Sequence, residues 1–436
     1  MSSKIYATRF GAVAVRGTQI VGVGSQSEIT ARFPESRVED FGEALILPGL
    51  VNTHTHLELT AFRGYLENEE SNFFAWLRKL TLARLEKLTP DDLRVSATWG
   101  ACEAVRAGIT CVGDASDSAM MSMLALHDVG LRGVVFQESF GPDPRLVQEN
   151  FDKLTAKVAE LRGVVTDLVH VGVSPHAPYT VCGPQLELIA RFAREEKLPL
   201  MMHAAESQAE DLFVREGQGI FAEGLSKREI EWNAPRLSTI QYLRQLGVLE
   251  TRPLLAHCIR MDDADIETLR ATHSKVAHCP KSNAKLGHGR APFAKFLNAG
   301  LAVGFGSDSV ASNNTCDILE EARFAVLLSR AAGRDTLIAA SEALATATLG
   351  GARCMDLEGE IGELREGAQA DLAVLSLKGA HQVPNHETAA TAIFASSGRD
   401  VILTVVAGRE VFRDGRVVGV DEERLRARMN EIREKL

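Results

Sequence analysis

No Cys-x-x-Cys pair occurs among the seven scattered cysteines of this 436-residue chain. A disulfide framework is therefore not expected, and the thiols read as reduced and mostly buried. The first ten residues carry no apolar signal region, and no apolar run approaches the roughly 20 residues that span a membrane. The expectation is a cytoplasmic protein with no membrane partner. No basic stripe stands out against a formal charge of −10, which argues against a nucleic-acid partner. Low-complexity tracts and short-period repeats are also missing. What the chain does have is a 45% share of hydrophobic residues, enough for a large core. Its length suits a barrel enzyme with one added domain.

Apolar strands alternate with amphipathic helices. Strands are predicted at 46–52, 109–114, 133–137, 169–174, 198–203, 253–257, 275–279 and 302–306. They are mostly apolar rather than alternating, as expected of parallel strands covered by helices. Eight strand-then-helix units favour a closed (β/α)8 TIM barrel over an open sheet. The two ends read as short strands with turns, including Asp414-Gly415 between apolar runs. They are expected to pair into one small composite β-sandwich domain. The predicted division is 1–45 and 356–436 for that domain, with the barrel at 46–355 and a charged helix at 421–436. Residues 217–235 interrupt the unit after strand five and read either as an active-site lid or as a surface excursion.

Barrel chemistry sits at the carboxyl ends of strands. Strand one delivers His54 and His56, and positions i and i+2 of a strand share a face. Strand five ends in His203 with Glu206 three residues on, strand six in His257, and strand eight in Asp308. A lone histidine after an apolar run is usually a satisfied core residue; four strand ends bearing imidazole and carboxylate groups are not explained that way. Three neutral imidazoles and a carboxylate suit Zn2+ or Fe2+. His54, His56, His203 and Asp308 are therefore the candidate metal ligands, with Zn2+ the first choice. A bound Zn2+ lowers the pKa of its water from about 15.7 to about 7. Glu206 is the candidate proton shuttle; its other reading is a carboxylate stabilised by a helix N-terminus. His257 is either a fifth ligand or a partner of the attacking water. The second role is preferred, with Asp308 accepting from the same water.

The runs Pro48-Gly-Leu-Val-Asn-Thr-His-Thr-His56, His203-Ala-Ala-Glu206, Ala256-His257-Cys258, His278-Cys-Pro-Lys-Ser-Asn283 and Gly306-Ser-Asp308-Ser together resemble the amidohydrolase superfamily. The similar branch is the mononuclear one, with cytosine, guanine and S-adenosylhomocysteine deaminases and the triazine hydrolases. The resemblance spans nearly the whole chain, including 362–373. It implies a distorted barrel, a composite β-sandwich and one divalent ion. Binuclear members carry a carboxylated lysine at strand four; here that strand ends Val173-Ser-Pro-His176, without one. The other zinc-deaminase architecture needs His-x-Glu with Pro-Cys-x-x-Cys, and the cysteine pair is absent.

For the substrate, the resemblance places His176 in the pocket wall. Gln137 and Glu138 end strand three and read either as contacts to a ring nitrogen or as structural hydrogen-bonding or ion-pair residues. Trp76, with Phe73 and Phe74, is a candidate cover or a core residue. Arg63, Arg145, His288 and Arg290 are either cations for an anionic tail or structural and surface residues. The Leu57-Glu-Leu-Thr60 stretch and the Phe73-Phe-Ala-Trp-Leu77 helix are similar to aminodeoxyfutalosine deaminases. The expected activity is hydrolytic deamination of an amino-substituted heterocycle. An adenine-type nucleoside derivative of the aminodeoxyfutalosine or S-adenosylhomocysteine/methylthioadenosine type comes first. Chlorohydrolase, cyclic-amide hydrolase and guanine- or cytosine-type deaminase readings stay open, as do a non-catalytic scaffold and a homo-oligomer.

Overall fold

The computed structural model describes residues 3–333 and 337–436. Residues 1–2 and 334–336, inside the first two predicted domains, lie outside the described residues. Strands β1 (Lys4–Ala7), β2 (Ala12–Arg16), β3 (Gln19–Gly24) and β4 (Arg37–Asp40) form one sheet in the order β3-β2-β1-β4. The predicted strand at 46–52 is in fact two. β5 (Ala44–Pro48) joins a second small sheet, while β6 (Leu50–Thr55) opens the barrel. The break falls at Gly49, where any Cβ would overlap the Thr110 side chain. An apolar run hid it, because both strands are apolar.

The barrel continues through β7 (Ile109–Ser116), β8 (Arg132–Ser139) and β9 (Val169–Pro175). It is completed by β10 (Met201–Ala204), β11 (Leu254–His257), β12 (Lys275–His278) and β13 (Val303–Phe305). Each half is a parallel sheet, β6-β7-β8-β9 and β10-β11-β12-β13. Parallel bridges Val173–Leu200 and Thr55–Asp308 close the two seams. The chain is a TIM barrel. β7 and β8 are buried along their whole length, as strands lined by side chains inside and helices outside must be. Val51, Cys111, Val134, Phe136, Met201 and Leu254 pack together in the interior, against Met355 and Ile361. In barrels with such a filled interior the chemistry sits at the strands' carboxyl ends.

The second small sheet adds β14 (Leu372–Ser376), β15 (Val401–Val406), β16 (Arg409–Arg413) and β17 (Arg416–Val417), in the order β17-β16-β15-β14-β5. The Asp414-Gly415 turn has both residues at positive φ, 44° and 84°, as a tight hairpin with matching twist requires. Tyr6, Val13 and Ile20 of one sheet pack against Leu372, Val374 and Leu403 of the other. The two sheets thus form a sandwich built from both ends of the chain. A buried ion pair ties it to the barrel: Arg132 at the start of β8 donates to Asp371 at 2.9 and 3.1 Å. The helix Glu422–Lys435 lies on the helix Pro90–Arg106, anchored by Ile432 and by Lys435 to Asp92 at 2.7 Å.

Candidate metal centre and active site

The strand ends converge as their spacing requires. The ligand atoms of His54, His56, His203 and Asp308 all lie within 4.8 Å of one another, and all four residues are buried. His54 Nε2 and His56 Nε2 stand 3.4 and 3.5 Å from Asp308 Oδ1. Backbone turns aim these groups. Ala205, His257 and Asp308 each adopt positive φ (52°, 73° and 56°) where a strand breaks into its loop. For residues other than glycine that conformation costs roughly 1–2 kcal/mol each, so the surrounding packing and hydrogen bonds must hold it.

Hydrogen bonding fixes what each ring presents. His203 Nδ1 donates to the His176 carbonyl at 2.9 Å, and His56 bonds the Ala115 backbone. Their Nε2 atoms therefore carry lone pairs, and these face each other at 3.3 Å. Two lone pairs held so close repel unless a cation lies between them. Buried His54 Nε2 has no hydrogen-bond partner. Burial, then the neighbouring His54, pushes His56 down to about 3. Burial, then His176, holds His203 well below its usual range. Both rings are thus neutral and ready to ligate near pH 7. For Asp308 burial works upward, but the neighbouring rings of His54, His257 and His56 hold it well below the usual carboxylate range. Ser309 N–H, Ser282 Oγ and Ser312 Oγ also donate to it, at 2.7, 2.6 and 3.1 Å. The donor set fits a divalent cation, with three imidazole nitrogens and one ionised carboxylate. Glu138, His176 and His203 form a second close trio, sharing His203 with the first.

Beside this cluster lies Glu206, almost fully buried. Tyr179 donates to its Oε2 at 3.1 Å, while Oε1 stands 3.7 Å from His257 Nε2 and 3.6 Å from His288 Nε2. His257 Nδ1 meets Asn283 Oδ1 at 2.8 Å, which leaves its Nε2 facing the cluster without a partner. A cavity of about 580 Å³ opens over the cluster, within the range of small-molecule sites. Its walls are mostly apolar, from Phe73, Trp76, Leu80 and Leu85 on one side to Phe140 and Phe221 on the other.

His176, Glu138 and Trp76 line this cavity, together with His56, His203, Glu206, His257 and Asp308. Glu138 is buried with Oε1 unpartnered, and burial followed by the charge of Glu58 holds it well above the usual range. Arg63 takes the structural of its two readings. It does not line the cavity but is spent on Glu103 and the Asn314 carbonyl. Arg145 pairs with Asp143 and Arg290 is exposed, both away from the cavity. Gln137 donates to the backbone of Asp117 and Glu138, a structural role. Residues 217–235 include the helix Ile220–Ser226, whose Phe221, Gly224 and Leu225, followed by Arg228, face the cavity. Phe221 stacks on Tyr179 with ring centroids 4.2 Å apart.

Sequence reasoning missed Tyr179, Asn283, Glu58, Arg84 and Arg228. Arg84 and Glu58 line the cavity as an ion pair at 3.5 Å. Tyr179 had a usable signal, three residues past His176 at the end of strand four; Asn283 closes the run from His278 and Glu58 lies in the stretch 57–60, whereas Arg84 and Arg228 had no such signal.

The sequence pattern of the amidohydrolase family matches residues 45–411. The chain belongs to the amidohydrolase family. A relative named 5-methylthioadenosine/S-adenosylhomocysteine deaminase, from Pelotomaculum thermopropionicum, is 32% identical to this amidohydrolase over 421 residues, covering 96% of this chain and 92% of its own. One of the same name from Nitratidesulfovibrio vulgaris is 32% identical, covering 97% and 92%. Among solved structures, an adenosine deaminase from Xanthomonas campestris with bound zinc superposes with a TM-score of 0.86 at 25% identity, covering 100% of this chain and 98% of that one. An atrazine chlorohydrolase from Arthrobacter aurescens TC1 complexed with zinc shares the fold, with a TM-score of 0.83 at 24% identity and coverage of 97% and 95%. No helix among the described residues is long and apolar enough to cross a membrane.

Proposed function

We propose that this amidohydrolase is a metal-dependent hydrolytic deaminase of an adenine-type nucleoside derivative. The observation that carries the reading is Glu206. It is a buried carboxylate held by Tyr179 beside a His-His-His-Asp cluster, where it can move a proton between water and a ring. The names of the relatives, at 32% identity over nearly the full chain, support the adenine-type substrate.

His54, His56, His203 and Asp308 would hold one ion, which we take to be Zn2+, since both close ligand groups depend on the same His203. When bound, the ion supplies Lewis acidity that makes water a competent nucleophile near pH 7. The protein's own groups do the rest. Glu206 takes a proton from the attacking water and delivers it to the ring nitrogen. A carbon–oxygen bond forms at the amino-bearing carbon. Glu206 then relays the second water proton to the amino group, the carbon–nitrogen bond breaks, and ammonia leaves an oxo-substituted ring. Nδ1 of His257 is occupied by Asn283, so its Nε2 is aimed at the water and at the developing charge. His176 and Glu138 face the ring from the cavity wall. The apolar walls leading to Arg228 suit a substrate tail. Seven buried, unbridged thiols support a cytoplasmic setting.

The test is ammonia release from aminodeoxyfutalosine, S-adenosylhomocysteine, methylthioadenosine, adenosine, guanine and cytosine. The reading expects the adenine nucleosides to be turned over and the free pyrimidine not. Turnover confined to cytosine or guanine would overturn it.

A further inference from the structure

Glu210 is fully buried, and no cation among the described residues pairs with it. It is the third residue of the helix Gln208–Glu216, whose N-cap Ser207 accepts from the Glu210 N–H at 3.1 Å. A capping box would send the Glu210 carboxylate back to the N–H of Ser207. It goes elsewhere. Oε1 accepts from the Ala205 N–H and Oε2 from the Glu206 N–H, each at 2.8 Å. Ala205 is left-handed, with φ of 52°, which turns these two consecutive amides into one concavity of the kind that receives an anion. From the other side, the Ala205 carbonyl accepts the N–H groups of Ile259 and Arg260, each at 2.8 Å. The peptide before Glu206 is therefore gripped on both faces. The Thr239 hydroxyl also donates to Oε1, at 3.0 Å. Thr239 opens the helix that follows the 217–235 excursion, so one carboxylate ties the start and the end of that insertion together.

We propose that Glu210 is the positioning residue of the proton shuttle: its carboxylate fixes the Ala205–Glu206 turn, and so sets where the Glu206 side chain meets water and ring. The inference rests on Glu206 being the shuttle. Helix capping alone does not account for a carboxylate that bypasses the helix's first amide for two amides outside it. A misplacement of about 1 Å at a reacting group costs about 10²-fold in rate, and that is the loss the clamp prevents.

A double-mutant cycle tests it on the metal-loaded protein. Glu210→Ala in the wild-type background is expected to lower kcat for ammonia release by about 10²-fold, with KM and bound metal little changed. In the Glu206→Gln background, where no shuttle remains to be positioned, the same change is expected to cost less than about threefold. Glu210→Gln keeps one acceptor oxygen and is expected to fall between; it also serves as the second variant if the alanine variant does not fold. Equal losses in both backgrounds, or no loss in either, would overturn the proposal. Amide hydrogen exchange supplies a readout independent of turnover. Glu210→Gln, which leaves one acceptor for two amides, is expected to lower protection selectively at Ala205 or Glu206, and unchanged protection at both would overturn the clamp. If the wild-type protein releases no ammonia from any adenine nucleoside, the deaminase reading fails, while exchange still decides whether Glu210 holds the turn.

Discussion

The phenol of Tyr179 donates to Oε2 of Glu206 at 3.1 Å, and both groups are buried in the wall of the cavity above the metal ligands. Phe221 stacks on the same tyrosine, so the helix Ile220–Ser226 bears directly on the residue that orients the carboxylate. A hydrogen bond to a charged group contributes about 1.5–3 kcal/mol. Tyr179→Phe keeps the stack and removes only the donor. It is expected to lower kcat by about tenfold or more while leaving metal content unchanged, read by steady-state kinetics alongside metal analysis. Unaltered kcat would remove Tyr179 from the account.

Metal removal has two expected consequences. Chelation should abolish turnover, and it should lower the thermal midpoint, because an ion that binds only the folded state stabilises it by about 4 kcal/mol when present at about 1,000 times its dissociation constant. With His56 and His203 already neutral near pH 7, reloading should need no acid-base step at those two rings. Scanning calorimetry before and after chelation, then after adding Zn2+, checks this. A chelated protein with full activity would contradict the ligand set.

Much of the site was legible because strand geometry is periodic. His54 and His56 had to share a face, and polar residues closing apolar strands had to gather at one rim. The convergence of His54, His56, His203 and Asp308, with Glu206 beside them, followed from that. What was not legible depended on long side chains and distant partners. Arg63 follows the metal strand closely, yet Glu103 on a neighbouring helix claims it. Arg84 and Glu58 are 26 positions apart, and nothing local announces that they meet across the cavity. The strand at 46–52 was misjudged for another reason: hydropathy does not change at Gly49, whereas the pairing partner does, from β14 to β7.

The buried pair Arg132–Asp371 joins barrel to sandwich, and Asp371 also accepts the Ala407 N–H at 2.7 Å. Removing one partner of a buried pair typically costs about 3–5 kcal/mol, since the other charge is left uncompensated. Asp371→Ala should lower the thermal midpoint clearly while the remaining folded protein keeps its kcat. Loss of kcat without loss of stability would contradict a purely structural role.

Glu321 gives a pH signature. It is fully buried, where it accepts from Asn313 at 2.6 Å. Burial pushes its carboxyl from 4.5 up to about 8, partly offset by Lys281. The folded state therefore keeps a proton that the unfolded chain releases above about 4.5. Its contribution to stability is fully present below that value and is lost as pH rises through about 8. Glu321→Gln should flatten this fall, measured as the difference in thermal midpoint between wild type and variant from about pH 5 to about pH 8. Parallel curves would contradict it.

If Glu206 moves protons in a hydrolytic deamination, its loss shows in ammonia released per adenine nucleoside consumed, compared between wild type and Glu206→Gln carrying the same amount of metal. One ammonia per nucleoside is expected from wild type, and a rate at least about 10²-fold lower from the variant. No ammonia from the wild type, or an undiminished rate from the variant, would contradict it.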